Sequence, residues 1–164
     1  MTLLSVDPGV RGCGVALFSE QKLVNAAYVK NSVAESCGPK EALALAVAVA
    51  TWSGPINALA LEVPQTYKGR AKRGDANDLI SLALVDGAIA GIFERVQIFS
   101  YFPSQWKGQV PKPKRAGEDY IIEARVRKRL SPDELERVNW PNAWKLCMDV
   151  SDAIGIGLTA LSRW

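Results

Sequence analysis

Three strand-length apolar runs crowd into the first 29 residues, and two more follow only after helical segments. That order leaves few architectures open. The run over residues 3–6 ends at Asp7-Pro8-Gly9, where proline and glycine stop a strand. The runs over 13–18 and 23–29 follow at separations too short for a crossover, so the three are read as antiparallel hairpin neighbours. After a loop over 31–38, Pro39 stands where a first-turn proline starts a helix, here Ala- and Leu-rich to about residue 52 and ended by Gly54-Pro55. Residues 56–61 are apolar apart from Asn57, as in a strand buried on both faces, and Glu62 closes them. A polar, basic loop over 63–74 leads to a long helix over 75–93, capped by Asp75 or Asn77, and a fifth strand over 96–102. A helical turn over 103–108 and a Pro/Lys loop over 110–117 come next. A basic amphipathic helix over 118–130, a cap pattern at Ser131-Pro132-Asp133-Glu134 and a break at Trp140-Pro141 precede a last helix from about residue 143. The prediction is an α/β fold: a mixed five-stranded sheet with helices on both faces and right-handed crossovers. The 164 residues suit one domain, 1–164, without repeats or a linker.

The helix over 75–93 is apolar nearly all round. At about 100° per residue, Leu79, Ile80, Leu82, Leu84, Val85, Ile89, Ile92 and Phe93 cover most of its circumference. One face can lie on the sheet. The other needs a second partner, either another helix of the chain or a second copy.

Composition removes whole chemistries. There is no histidine, so His general bases, Ser-His-Asp triads and His-ligated zinc are impossible. Cys13, Cys37 and Cys147 are odd in number and lack metal-type spacing, which favours a reducing, cytoplasmic setting. No apolar run is long enough to span a membrane, and the first residues lack the basic region of a signal peptide. The net charge is only +3, but it is unevenly spread. Lys68, Arg70, Lys72 and Arg73 form one basic run, Lys107, Lys112, Lys114 and Arg115 a second, and Arg125, Arg127, Lys128 and Arg129 a third. A single run of this kind is usually a solvated face. Three of them, two in Gly/Pro-marked loops, describe a polyanion-binding surface.

Against that basic body stand four carboxylates. Asp7 and Glu62 end strands predicted to be central, at the carboxyl edge where α/β sheets place ligands. Asp149 and Asp152, three apart, share one face of the last helix and lie within a largely apolar stretch. A strand-end carboxylate is unremarkable singly, and acids near a helix start can simply answer its dipole. Asp149, however, is several residues inside the start, and acids in a buried helix are costly unless paired or metal-bound. Four carboxylates without His or Cys suit Mg²⁺, with Mn²⁺ as a substitute. A pair of such ions activates water for phosphodiester cleavage. With those four acids set aside, 20 basic residues face 13 acidic ones, the layout of a nuclease.

Leu-Leu-Ser-Val-Asp7-Pro8-Gly9-Val-Arg-Gly12-Cys-Gly14-Val-Ala-Leu resembles the first strand and turn of RuvC-type Holliday junction resolvases, members of the RNase H-like superfamily. Leu-Ala-Leu-Glu62 is similar to their second acidic strand, and Asp149-Val-Ser-Asp152-Ala153-Ile-Gly-Ile-Gly-Leu-Thr to their C-terminal acidic helix. Order and spacing match over nearly the whole chain. The resemblance implies a homodimeric, Mg²⁺-dependent endonuclease nicking symmetric strands of four-way junctions, with Asp7, Glu62, Asp149 and Asp152 as its tetrad. Tyr101-Phe-Pro103-Ser-Gln-Trp-Lys107-Gly is similar to the family segment that ends in a functional lysine, a role Lys107 inherits. Two departures stand out. Family members often carry an aromatic wedge shortly after the second acid, where this chain has Val63-Pro64-Gln65 and then Tyr67; the loop after Lys107 is proline-rich rather than glycine-rich.

The glycine motif also resembles the phosphate loop of sugar kinases and actin-like ATPases, which need two such domains and more chain than this. Two further alternatives are a broader RNase H-like nuclease acting on flaps, other DNA forms or RNA, and a non-catalytic DNA-binding module. Stronger phosphate contact with a weaker wedge implies binding to branched DNA with little sequence preference, some activity on other DNA forms, and a steep salt dependence.

Overall fold

The computed structural model describes residues 1–31, 37–65, 76–108, 110 and 112–164. Strands β1 (Thr2–Asp7), β2 (Gly12–Ser19), β3 (Lys22–Lys30), β4 (Ala58–Glu62) and β5 (Gln97–Tyr101) form one sheet in the order β3-β2-β1-β4-β5. The first three are antiparallel neighbours, and β4 and β5 run parallel to β1. This is the mixed sheet expected from the order of apolar runs. The β2–β3 turn is tight, with Glu20 and Gln21 at φ 49° and 68°, the hand that suits the twist of paired strands.

Helices α1 (Pro39–Ser53) and α2 (Ala76–Ile92) cover one face. Helices α3 (Pro103–Trp106), α4 (Ile121–Arg129) and α6 (Trp144–Ala160) cover the other, and the short α5 (Pro132–Leu135) sits beside β3. Period-two alternation assigns the side chains. Leu4 and Val6 of β1 join the core under α1, and Leu3 joins the core under α6. On β4, Leu59 and Leu61 face α1, whereas Ala58 and Ala60 face α6. By the same parity, Asp7 and Glu62 at the two strand ends fall on the α6 side.

α6 lies unusually close to the sheet, and small residues permit it. A Cβ on Gly14 would stand 1.9 Å from the Asp149 carbonyl oxygen, and one on Gly157 would stand 2.2 Å from the Phe18 ring. The buried Ser5 hydroxyl donates to the Ala153 carbonyl at 2.7 Å, tying β1 to α6 where the acids lie.

Several boundaries differ from the sequence reading. β4 starts two residues late because Asn57 is spent on Thr2, exchanging bonds with its backbone through both amide and side chain. The helix predicted over 118–130 begins only at Ile121, since Tyr120 is extended and turned inward. α2 packs mainly beside α1 rather than flat on the sheet. Its Val85 and Ile89 are fully buried, while Ile80 is 60% exposed, as are Leu43 and Val47 of α1 by about half. The basic run Lys68, Arg70, Lys72 and Arg73, with Tyr67 and Asp75, lies outside the described residues. No helix among the described residues is long and apolar enough to cross a membrane.

Candidate active site

Asp7 and Glu62 end the adjacent parallel strands β1 and β4, in a register that pairs Val6 with Leu61. α6 brings its two acids to the same place. Asp149 and Asp152 are the sixth and ninth residues of that helix, so neither caps it, and its first turn contains no acid. The dipole explanation therefore fails for both. Asp152 is completely buried, Asp7 nearly so, and Glu62 and Asp149 are partly open.

The lysines are the second component. Lys107 caps the C-terminus of α3, and its ammonium stands 2.9 Å from Glu62 Oε2 and 2.9 Å from Asp152 Oδ2, bridging the sheet acid to the helix acid. Its side chain is only 10% exposed, which removes it from the rim and places it among the carboxylates. Lys112 comes from the Pro/Lys loop. Its Nζ lies 3.7 Å from Asp149 Oδ1 and 3.6 Å from Asp152 Oδ2. The sequence reading gave Lys112 to phosphate contact with Lys114 and Arg115. The fold brings its ammonium to the acids while half of the side chain stays exposed, and Lys114 and Arg115 are exposed as well, with the Lys114 amide held by Glu118 at 2.8 Å.

Electrostatics record the crowding of negative charge. Burial, then the charges of Asp152 and Glu62, raise the Asp7 carboxyl well above the usual carboxylate range, although Lys112 and Lys107 pull it down. Asp149 is raised too, by burial and by Asp152, against the opposing pull of Lys112. Burial would discharge Lys107 and Lys112, but the surrounding carboxylates outweigh it and hold both ammonium groups protonated.

Two aromatic donors complete the cluster, and neither was singled out from the sequence. The buried Trp106 donates its Nε1–H to Glu62 Oε2 at 2.7 Å. The buried Tyr120 donates its hydroxyl to Asp152 Oδ1. Trp106 sits beside the Lys107 signal and could have been noticed there. Tyr120 lies 32 residues from its acceptor, and no local pattern announces it. Asp86 on α2 is a fifth acid nearby. Burial and then the charge of Glu62 lift its carboxyl to about 6, and its buried Oδ1 has no hydrogen-bond partner among the described residues.

The donors offered by the four acids are all carboxylate oxygens, the set that hard divalent cations take. Four carboxylates against the two lysines that reach them leave the cluster short of positive charge, as the raised Asp7 registers. By donor chemistry and charge the residues fit Mg²⁺ or Mn²⁺. Among the described residues no three acids or cysteines are already gathered as metal ligands, and the two ammonium groups stand between the carboxylates.

No protein-family model and no curated protein matches the sequence. Solved structures do. The chain is similar to Thermus thermophilus RuvC in complex with a Holliday junction substrate, with a TM-score of 0.62 and 20% identity over 97% of this chain and 91% of that one. It is also similar to the fowlpox virus resolvase bound to Holliday junction DNA, with a TM-score of 0.56 and 16% identity over 99% of both chains. The yeast mitochondrial Holliday junction resolvase aligns with a TM-score of 0.55 and 13% identity, over 99% of this chain and 79% of its own. What is shared at such identities is the architecture: this chain has the RNase H-like, α/β fold of the RuvC-type Holliday junction resolvases.

Proposed function

We propose that residues 1–164 form a single nuclease domain that nicks phosphodiester bonds of four-way junctions and other branched DNA in a Mg²⁺-dependent, two-metal reaction. The observation that carries this reading is the convergence of Asp7, Glu62, Asp149 and Asp152 on one end of the sheet, with two lysines and too little positive charge. Asp7, Glu62, Asp149 and Asp152 would hold the ions. When bound, Mg²⁺ polarises the scissile phosphate and lowers the pKa of the attacking water. Lys107, already buried and charged at the acids, steadies the negative charge that grows on the phosphoryl oxygens. Lys112 offers a second cation on the Asp149 side, and exposed Lys114 and Arg115 contact backbone phosphates without reading sequence.

Two copies suit a substrate with two symmetric strands to cut. The uncovered apolar residues Ile80 on α2 and Leu43 and Val47 on α1 support a homodimer through the helix predicted over 75–93. Sedimentation at micromolar concentration should then give a dimer.

The test is strand nicking of a labelled four-way junction, a flap, linear duplex and single strands, with Mg²⁺, Mn²⁺ or chelator. The junction should be nicked fastest, with slower activity on other DNA forms and none in chelator. Tight binding without nicking in either metal would replace the nuclease by a DNA-binding module. Preference for RNA or unbranched DNA would replace the junction by a broader substrate.

A further inference from the structure

The two acids that Lys107 bridges are each anchored by one buried aromatic donor. Trp106 Nε1–H holds Glu62 Oε2 at 2.7 Å, and the Tyr120 hydroxyl holds Asp152 Oδ1. Both rings are nearly closed to solvent, at 4% and 5% exposure, and both belong to the core beneath α6. Neither donor is therefore free to turn to water. We propose that Tyr120 and Trp106 are positioning residues that fix the carboxylates of Asp152 and Glu62 in the orientation from which they bind a divalent cation. This rests on the metal-dependent reading given above.

Three features favour positioning over mere satisfaction of a buried donor. First, the backbone that carries the hydroxyl is fixed: Tyr120 is the extended N-cap of α4, and its carbonyl accepts the first helical bond from the Ala124 amide at 3.1 Å. Second, the bonds leave each acid capacity to spare. At Asp152, Tyr120 takes Oδ1 while Lys107 takes Oδ2; at Glu62, Trp106 and Lys107 meet at Oε2, with Lys107 3.3 Å from Oε1, and a carboxylate oxygen accepts more than one bond. Third, the supports are themselves braced. Trp106 stacks edge-on against Trp164 with ring centroids 5.7 Å apart and fills the space a side chain at Gly155 would take, 2.5 Å from its would-be Cβ. Tyr120 is followed by Ile122 and Val126, both fully buried against the same core. Partners of this kind set ligand orientation, and their loss typically costs about 10–100-fold in metal affinity or activity.

The experiment is calorimetric titration of the DNA-free protein with Mn²⁺, using wild type, Tyr120→Phe, Trp106→Phe and Asp7→Asn, with melting temperature and junction affinity in chelator measured alongside. Tyr120→Phe keeps the ring and removes only the hydroxyl. It should bind Mn²⁺ about tenfold more weakly, with junction affinity in chelator unchanged. Trp106→Phe should show the same split, and it decides the matter if Tyr120→Phe does not fold. Wild-type Mn²⁺ affinity in a folded variant would overturn the inference, whatever happens to its melting temperature. Equal Mn²⁺ binding by wild type and Asp7→Asn would instead overturn the metal site itself, so the two failures are distinguishable.

Discussion

Glu134 and Asp7 are both buried carboxylates, yet they sit at opposite ends of the sheet and in opposite surroundings. Glu134 takes a two-pronged ion pair from Arg163 at 2.9 and 3.1 Å and accepts from the amides of Leu23 at 2.8 Å and Ser131 at 3.0 Å. Burial opposes its ionisation, but these donors outweigh burial and bring the carboxyl down to about 2. Every lone pair has an answer, and the result ties β3, α5 and the C-terminal residues together. Asp7 has the reverse balance, with burial and two neighbouring acids holding it up. A fold that can satisfy an acid so fully at one end and leaves an excess of acid at the other is storing unfavourable charge where a cation can relieve it.

That contrast yields separable outcomes. The largest is at the satisfied end. Glu134→Ala strands the Arg163 guanidinium and should cost about 3–5 kcal/mol in denaturant unfolding, while nicking per folded molecule is unchanged. Because the folded pKa of Glu134 is depressed, its contribution is complete above the ordinary carboxylate range and fades as pH falls toward 2. A comparable loss of nicking per folded molecule would erase the distinction between the two ends.

At the acidic end, Lys107→Ala should lower the single-turnover nicking rate by about 10²-fold, or about 2.7 kcal/mol, with a smaller change in junction affinity. A pure affinity loss, recovered at high enzyme concentration, would make Lys107 a phosphate contact instead. The smallest effect belongs to Asp86. Its folded pKa of about 6 lies above the ordinary 3.8, so its ionisation costs stability as pH rises between those values. Solvent screening of this partly exposed carboxyl trims the effect, so Asp86→Asn should be about 1 kcal/mol more stable than wild type above pH 6, with the gap closing below pH 4. A pH-independent gap would assign the effect to packing rather than charge.

What the sequence revealed and concealed follows the same division. The sheet was legible because period-two patterning and turn residues are local signals. Asp7, Glu62, Asp149 and Asp152 were legible because each breaks an apolar run, and Lys107 because its segment resembled a known one. The long-range partners were not. Tyr120 read as part of an amphipathic helix, and only the fold carries its hydroxyl to Asp152. Lys112 read as one of several loop cations, and only the fold brings its ammonium to Asp149 and Asp152. Glu134 read as a helix cap, which it is, through the Ser131 amide; its pairing with Arg163, 29 residues on, has no local trace. All-round apolarity of α2 showed only that several of its faces are covered, and it left open whether another helix or a second copy covers them; within the chain α1 takes the larger share.

The most direct test of the account is Asp7→Asn, measured for thermal stability without metal, for junction binding, and for nicking in Mg²⁺. Removing one carboxylate from an acid-rich cluster should raise the melting temperature at pH 7, with the advantage shrinking at acid pH because wild-type Asp7 is then protonated. Junction binding should be as tight or tighter, since a charge that repels phosphate is gone, and nicking should fall to background. A variant that nicks normally in Mg²⁺, or that melts below wild type at pH 7, would contradict the claim that Asp7 is held at a cost to stability for the sake of the metal.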